Sequence, residues 1–166
     1  MEKFMSPIKF SWPLAVMFLF LLTPAPAFTA DTPAVLPSAR DKCAVCGMFV
    51  NKYPSWSARV GFKDSSCAWF DGPKDLFAYI FNLKKYNPGQ SQSTVSAVMI
   101  KDYYTLKAVD GRKAFYVIGS DVYGPMGQEL VPFEKMADAQ GFSNDHKGKK
   151  ILYYGEITPA ILDTLD

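Results

Sequence analysis

One order of secondary structure is predicted twice along this chain, and that repetition limits the possible folds more than any other feature. Each half contains two strands, a helix and a further strand, judged from residue alternation, helical spacing of apolar side chains and turn residues. In the first half these elements are predicted at residues 57–62, 66–70, 73–84 and 94–100. In the second half they are predicted at residues 113–118, 129–131, 132–141 and 150–154. We therefore predict an α+β fold in which two related β-β-α-β halves pack into one compact domain.

Three details of this prediction concern the ends of elements. Asp71 and Pro73 are typical of a helix start, so Asp71 is expected to cap the first helix. Gly141 is expected to end the second helix. A further short strand is predicted at residues 103–108.

The first 27 residues predict a secretory signal peptide. Lys3 and Lys9 precede a mostly apolar run at residues 12–22, which is too short for a comfortable membrane span. Residues 25–27 then supply the small side chains of a cleavage site. We expect export to the periplasm, with an uncleaved N-terminal membrane anchor as the alternative.

The remainder of the chain is expected to contain a flexible leader and one domain. The leader is predicted at residues 28–40 and the metal-binding domain at residues 41–166, with its two halves at about 41–108 and 109–166. No cysteine stands near residues 20–30, so the acceptor for a bacterial lipid anchor is missing.

Charge and cysteine content narrow the function further. Without the signal peptide, 16 basic and 15 acidic side chains remain, which argues against a nucleic acid partner because phosphate binding needs a basic face. The chain has three cysteines. If two of them pair in an exported protein, one thiol remains free and needs an explanation.

A cluster of sulfur ligands stands at the start of the predicted domain. Cys43, Cys46 and Met48 lie within six positions, and Gly47 allows the sharp turn that can bring the Met48 sulfur beside Cys46. Thiolate and thioether sulfur favour Cu(I) over hard cations. A C-x-x-C pair also occurs in redox proteins and in halves of zinc sites, so a disulfide with Met48 as core filler is the alternative.

Other candidate ligands lie far from this cluster in the sequence. Met126 stands between Gly-Pro and Gly in a predicted turn, where its side chain is either a packing group or a ligand. His146, the single histidine, lies in a polar loop and is either a ligand or a surface bystander. Cys67 falls in a predicted strand and is expected to be buried core. Motifs for a nucleophilic serine, a nucleoside triphosphate loop and a zinc protease are absent from the sequence.

Several motifs together resemble one family. Asp-x-Cys-x-x-Cys-Gly-Met at residues 41–48, Tyr-Val-Ile-Gly-Ser at 116–120, Gly-Pro-Met-Gly at 124–127 and Leu-Val-Pro-Phe at 130–133 occur in the order found in NosL, the copper accessory protein of bacterial nitrous oxide reductase. The resemblance covers nearly all of the mature chain. It implies a fold similar to part of organomercurial lyase, made of two related halves. Two departures are the missing lipid-acceptor cysteine and the sequence His-Lys-Gly, in place of His-Gly-Gly, at 146–148.

The resemblance also implies a function. It indicates a periplasmic, often membrane-tethered Cu(I) chaperone without catalytic residues, which delivers copper to nitrous oxide reductase with help from an ABC-type membrane complex. Together with the residues, it favours Cys46 and Met48 as ligands, Cys43 as a second thiolate or an exit ligand, and Met126 and His146 as candidate ligands from the second half. The alternative is an exported thiol–disulfide oxidoreductase that uses Cys43 and Cys46. The strand before the motif and the helix after it that are typical of that class are not predicted.

Overall fold

A computed structural model describes residue 1 and residues 36–166. The predicted signal peptide and most of the predicted leader lie outside the described residues, and the predicted domain boundaries remain predictions. Within residues 36–166, no helix combines the length and apolar character needed to cross a membrane.

The described part contains nine strands, four α-helices and three short 3₁₀ turns. The strands are β1 (Ala58–Phe62), β2 (Cys67–Phe70), β3 (Val95–Lys101), β4 (Ala108–Asp110), β5 (Phe115–Ile118), β6 (Tyr123–Gly124), β7 (Gly127–Gln128), β8 (Val131–Phe133) and β9 (Lys150–Tyr153). The helices are α1 (Pro73–Phe81), α2 (Leu83–Tyr86), α3 (Met136–Asp145) and α4 (Pro159–Asp163). The 3₁₀ turns are at Val50–Lys52, Gln92–Thr94 and Tyr154–Glu156.

The two halves share one topology. The first forms an antiparallel sheet in the order β2-β1-β3-β4, with α1 between β2 and β3 in the chain. The second forms an antiparallel sheet in the order β8-β5-β9, with α3 between β8 and β9. The predicted α+β fold with two β-β-α-β halves is therefore confirmed. The hairpin β6–β7 is inserted between β5 and β8, where the first half has only a turn.

Both halves contribute to one apolar core. In β1, alternate side chains Ala58, Val60 and Phe62 are buried, as the period of a strand with one solvated face requires. The same cluster contains Tyr116 of β5 and Leu152 of β9. A smaller cluster lies under α3 and consists of Val117, Val131, Phe133, Ala139 and Phe142. Because the larger core crosses from one half to the other, the halves form a single folding unit.

Three predicted element ends are wrong. Residues 102–107 form a turn, and the strand predicted at 103–108 begins only at Ala108. The second helix begins at Met136, after β8, and runs through Gly141 to Asp145, since the apolar contacts of Phe142 outweigh the glycine. The N-cap residue of α1 is Gly72 and not the predicted Asp71, and no side chain caps this helix.

The prediction for Cys67 is also wrong. Cys67 is exposed, because it opens β2, the edge strand of the first sheet, directly after the exposed turn at residues 63–66. A change of Cys67 to serine therefore places no polar group in the core.

Candidate metal site

The Cys-x-x-Cys-Gly-Met motif forms a closed hairpin loop, which we call the thiol loop (residues 43–48). An antiparallel bridge between Lys42 and Phe49 closes its base. The Cys43 N–H donates to the Met48 carbonyl (2.8 Å), and the Gly47 N–H donates to the Cys43 carbonyl (3.0 Å). Gly47 has a φ of 79°, which a residue with a Cβ adopts only at a cost. The turn predicted from Gly47 is thus what folds the sulfur residues into one loop.

The thiol loop lies against the junction between β2 and α1. Cys43 forms a parallel bridge with Trp69, and the Ala44 N–H donates to the Trp69 carbonyl (3.1 Å). Asp71 follows the end of β2, and Asp75 lies in the first turn of α1. This contact brings the motif onto two carboxylates that are more than twenty residues away in the chain.

Two thiols and two carboxylates converge at this junction. The Cys43 Sγ donates to Asp75 Oδ2 (3.0 Å), and the Cys46 Sγ contacts Asp71 Oδ2 (3.4 Å). One ligand atom from each of the four side chains lies within 4.8 Å of all the others. Cys43, Asp71 and Asp75 are buried, whereas Cys46 is half-buried and forms the open side of the cluster. We call these four residues the thiol–carboxylate cluster.

Burial keeps the two thiols of the cluster protonated in the absence of a cation. It raises the pKa of the Cys43 thiol far above its ordinary value, and the hydrogen bond to Asp75 raises it further. Burial raises the pKa of Cys46 to about 11 and also raises the pKa of the Asp75 carboxyl. The N–H groups of Cys46 and Asp71 face the Cys43 sulfur and act in the opposite direction, because they stabilise a thiolate.

The donor set fits a cation that replaces thiol protons. Asp71 is only 1% exposed, and its Oδ1 atom has no hydrogen-bond partner among the described residues. A buried carboxylate oxygen without a donor is costly, and a bound cation relieves that cost. Two thiolates suit Cu(I), while the carboxylates suit harder cations. The half-buried Met48 follows Cys46 by two residues, so a thioether stands close to the cluster in the chain.

Met126 is held against the same helix end. It stands in the turn of the β6–β7 hairpin, with Gly127 at a φ of 92°, and its side chain is 45% exposed. Its backbone carbonyl accepts a hydrogen bond from Lys74 Nζ (3.1 Å). Lys74 precedes Asp75, so the hairpin lies beside the start of α1. Because Met126 is exposed, packing in the core does not explain a methionine at this position.

The buried side chains of Lys74 and Glu129 hold this hairpin in place through hydrogen bonds. Lys74 Nζ also donates to the Leu165 carbonyl and to Asp166 Oδ1, both at 3.1 Å. The buried Glu129 carboxylate accepts from the backbone N–H of Lys74 (2.5 Å) and of Leu130 (3.0 Å), and burial raises its pKa to about 8. Gly72 is required here, because a Cβ at that position would meet Glu129 Oε2.

His146 lies elsewhere, at the C-terminal end of α3. Its ring stacks on Phe142, with centroids 4.4 Å apart, and its Nδ1 lies 3.2 Å from Asp121 Oδ1. It is not part of the thiol–carboxylate cluster. Of the sequence-predicted ligands, the structure brings Cys43 and Cys46 together, with Met48 next to them.

Sequence reasoning missed the two carboxylates. Asp71 was interpreted as a helix cap, and Asp75 received no role. The available signal was an acid on each side of a helix start that directly follows a strand. That signal is common in proteins, because acids are favourable near helix N-termini, and it does not by itself indicate a metal.

The fold and this cluster define a small α+β domain with a candidate metal site of two thiols and two carboxylates. The NosL family model matches residues 34–162, and the chain belongs to the NosL family. It is 27% identical over 161 residues to the copper-binding lipoprotein NosL of Stutzerimonas stutzeri, covering 90% of this chain and 80% of that protein.

Solved structures agree with this assignment. The crystal structure of the copper chaperone NosL from Shewanella denitrificans superimposes with a TM-score of 0.65 and 25% sequence identity. The match covers 76% of this chain and 96% of that chain. The fold described above is therefore the fold of this family.

Proposed function

We propose that this chain is an exported Cu(I) chaperone that binds its cargo at the thiol–carboxylate cluster and performs no catalytic turnover. One observation carries the proposal: two thiols and two buried carboxylates converge beside the half-buried Cys46, two residues before the Met48 thioether. Its relatives support copper as the cargo, since those in S. stutzeri and S. denitrificans are described as a copper-binding lipoprotein and a copper chaperone.

Binding replaces protons with the cargo ion. Cys43 and Cys46 give up their thiol protons, and the thiolates then accept the N–H groups that already face them. Asp71 and Asp75 accept hydrogen bonds from the free thiols and lose these hydrogen bonds when the thiol protons leave. Because protons leave as copper enters, the copper affinity rises with pH below the thiol pKa values.

The proposed ligands are Cys46 and Met48, with Cys43 as the second thiolate. Met126 is proposed as a further sulfur ligand, supported by its exposure and by the anchoring of its turn beside Asp75. His146 remains a candidate only if it leaves Asp121 and Phe142. Cys46 and Met48 are half-buried, so an acceptor can reach the ion from this side and exchange ligands with it.

The proposed recipient is nitrous oxide reductase, with an ABC-type membrane complex as assistant, and the proposed location is the periplasm with a possible membrane tether. These points rest on the family. The oxidoreductase alternative is disfavoured by the site, because an attacking cysteine needs a lowered pKa and burial raises the pKa of both thiols here.

A competition titration tests the proposal. The reduced protein is titrated anaerobically with Cu(I) against a Cu(I)-specific chelator, and then with Zn(II). We expect one tightly bound Cu(I) and weaker zinc binding. Equal or tighter binding of zinc contradicts the chaperone function.

Matched variants locate the ligands in the same assay. Cys46→Ser is expected to weaken Cu(I) binding strongly, whereas Cys67→Ser, at the exposed cysteine, is expected to leave both binding and stability unchanged. Met126→Leu keeps the volume of the side chain, so a selective loss of copper affinity identifies Met126 as a ligand. Unchanged affinity in Met126→Leu confines the site to the thiol loop and the two carboxylates.

A further inference from the structure

An exposed aromatic ring stands next to the thiol loop. Phe49 follows Met48 directly and is 39% exposed. The ammonium group of Lys42 lies 5.0 Å from the centroid of its ring, and that of Lys52 lies 6.0 Å away. One apolar ring is therefore presented to solvent between two cations. We call these three residues the basic–aromatic face.

Positive charge is concentrated around this face. The charged residues between positions 40 and 60 are Arg40, Lys42, Lys52 and Arg59 on the basic side and Asp41 on the acidic side. Within residues 36–166, neither Lys42 nor Lys52 takes part in an ion pair. The nearby acids of the cluster, Asp71 and Asp75, are buried and do not neutralise the lysines at the surface. The mature chain as a whole is nearly neutral, whereas this region carries a local basic excess.

A third cation lies on another aromatic ring near the thiol loop. The guanidinium group of Arg59 lies 5.6 Å from the Trp69 ring. Trp69 is the residue whose backbone pairs with Cys43. Basic groups therefore lie on two aromatic rings near the thiol loop, Phe49, which follows the loop, and Trp69, which pairs with Cys43.

We propose that the basic–aromatic face is the surface on which the metal-accepting protein docks, and that the acceptor presents carboxylates around an apolar patch. This inference rests on the proposed chaperone function. Ligand exchange requires the acceptor's ligands to come within bonding distance of Cys46 and Met48, so the acceptor must cover the surface beside them. Unpaired lysines steer an acidic partner to this surface, and the Phe49 ring supplies apolar contact once the partner is bound.

Copper transfer kinetics test the face directly. The Cu(I)-loaded chain is mixed with copper-free nitrous oxide reductase and with membranes that contain the ABC-type complex, both from the same organism, and the transfer rate is measured at low and high salt. Lys42→Glu/Lys52→Glu reverses the charge of the face. The matched control is Lys84→Glu/Lys85→Glu, on α2 beyond the far end of α1, where Lys85 lies 4.7 Å from the Tyr86 ring.

We expect the charge reversal at the face to slow transfer at low salt by about tenfold or more and to weaken its salt dependence, because rim charges act mainly on association rates. The control pair is expected to transfer at the wild-type rate. Copper release to a small chelator, which needs no docking, is expected to be the same in all three proteins. Phe49→Ala is expected to slow protein-to-protein transfer and to leave release to the chelator unchanged.

Four outcomes contradict the inference. Equal transfer rates for the two double variants exclude this face as the docking surface. A fall in Cu(I) affinity without a separate transfer defect means that the lysines only balance the charge of the site. Binding to phosphatidylglycerol vesicles with unaltered transfer assigns the face to an anionic membrane. A wild-type chain that holds copper but transfers none refutes the proposed delivery function and this docking face together.

Discussion

The thiol loop has a counterpart in the chain, a turn at residues 102–107 that we call the aspartate loop. Both loops have six residues and are closed by a cross-strand pair, Lys42 with Phe49 and Lys101 with Ala108. In both, the first N–H donates to the sixth carbonyl and the fifth N–H donates to the first carbonyl. These bonds, all between 2.8 and 3.0 Å, are Cys43 N to Met48 O, Gly47 N to Cys43 O, Asp102 N to Lys107 O and Leu106 N to Asp102 O.

The two loops also contact their strand–helix junctions in the same way. Each second residue donates to the strand that precedes the helix, as Ala44 does to Trp69 (3.1 Å) and Tyr103 does to Pro132 (2.9 Å). Each first side chain faces the N–H group three residues later in its own loop and one N–H group at the junction. For Cys43 these belong to Cys46 and Asp71, and for Asp102 they belong to Thr105 and Glu134. Asp102 therefore occupies the place of Cys43, and Thr105 that of Cys46.

The two loops differ in how completely the polar groups within each loop are satisfied by hydrogen bonds. Asp102 accepts from the N–H groups of Tyr104 and Thr105, from the Thr105 hydroxyl and from the Glu134 N–H. Burial acts to raise the pKa of Asp102, but these hydrogen bonds outweigh it, so the pKa lies below its usual range. The thiol loop instead leaves two thiols facing two carboxylates. One backbone design thus yields a closed structural turn in one copy and an open donor set in the other.

The comparison also suggests the state of Cys43 with copper bound. Its position supplies the N–H groups that hold an anion in the other loop. A Cys43 thiolate fits those donors better than a thiol does, because hydrogen bonds to a charged acceptor are stronger. The scaffold is therefore arranged to hold an anionic side chain at this position.

Exchanging the loop residues should have the largest effect. Cys43→Asp/Cys46→Thr gives the thiol loop the residues of the aspartate loop, and Asp75→Asn removes the like charge beside the new carboxylate. We expect Cu(I) binding to be lost, since both thiolates are gone, while the fold survives because the aspartate loop shows that this geometry accepts Asp and Thr. Chelator competition and circular dichroism measure the two properties. An unfolded variant contradicts the equivalence of the loops.

Removing the first side chain of each loop should separate stability from copper binding. Asp102→Ala leaves three backbone N–H groups without their acceptor and is expected to lower the free energy of unfolding by about 3 kcal/mol. Cys43→Ala is expected to weaken copper binding and to lower the free energy of unfolding by less than Asp102→Ala does. Denaturant unfolding and copper titration of both variants measure the two properties. If Asp102→Ala keeps its fold but loses copper binding, the two loops do not have separate roles.

The pH dependence of Asp102→Ala follows from the direction of its pKa shift. A carboxyl with a lowered folded-state pKa stabilises the protein above its unfolded pKa, and this contribution is lost as pH falls through the folded pKa. The difference in stability between wild type and Asp102→Ala should therefore shrink as the pH is lowered below 4. A constant difference across that range means that Asp102 acts through packing alone.

The smallest effect is expected at the fifth loop position. Gly47 and Leu106 both have positive φ, 79° and 57°. Gly47→Ala is expected to destabilise the protein by about 1 kcal/mol, and Leu106→Gly is expected to change stability by less than about 1 kcal/mol, because relief of strain and loss of chain stiffness oppose each other. Thermal unfolding of the two variants measures this. Greater stability of Gly47→Ala than of the wild type contradicts the turn geometry.

Much of the fold could be predicted from local sequence patterns. Residue alternation located β1, β2 and β3, and helical spacing located α1, because these signals come from neighbours along the chain. The end of α3 was missed, since the burial of Phe142 outweighs a glycine in the helix. The exposure of Cys67 was missed because position at a sheet edge depends on which strands pair.

The sequence by itself determined the thiol loop, because Cys43, Cys46, Gly47 and Met48 are close in the chain and Gly47 supplies the required backbone conformation. The tertiary structure decided what surrounds the loop. Hydrogen bonds across 32 and 25 residues link Asp75 and Asp71 to the thiols, and burial raises the pKa of the Asp75 carboxyl. The relation between the two loops is likewise visible only in three dimensions, because they share backbone hydrogen bonds and differ in the side chains that a sequence displays.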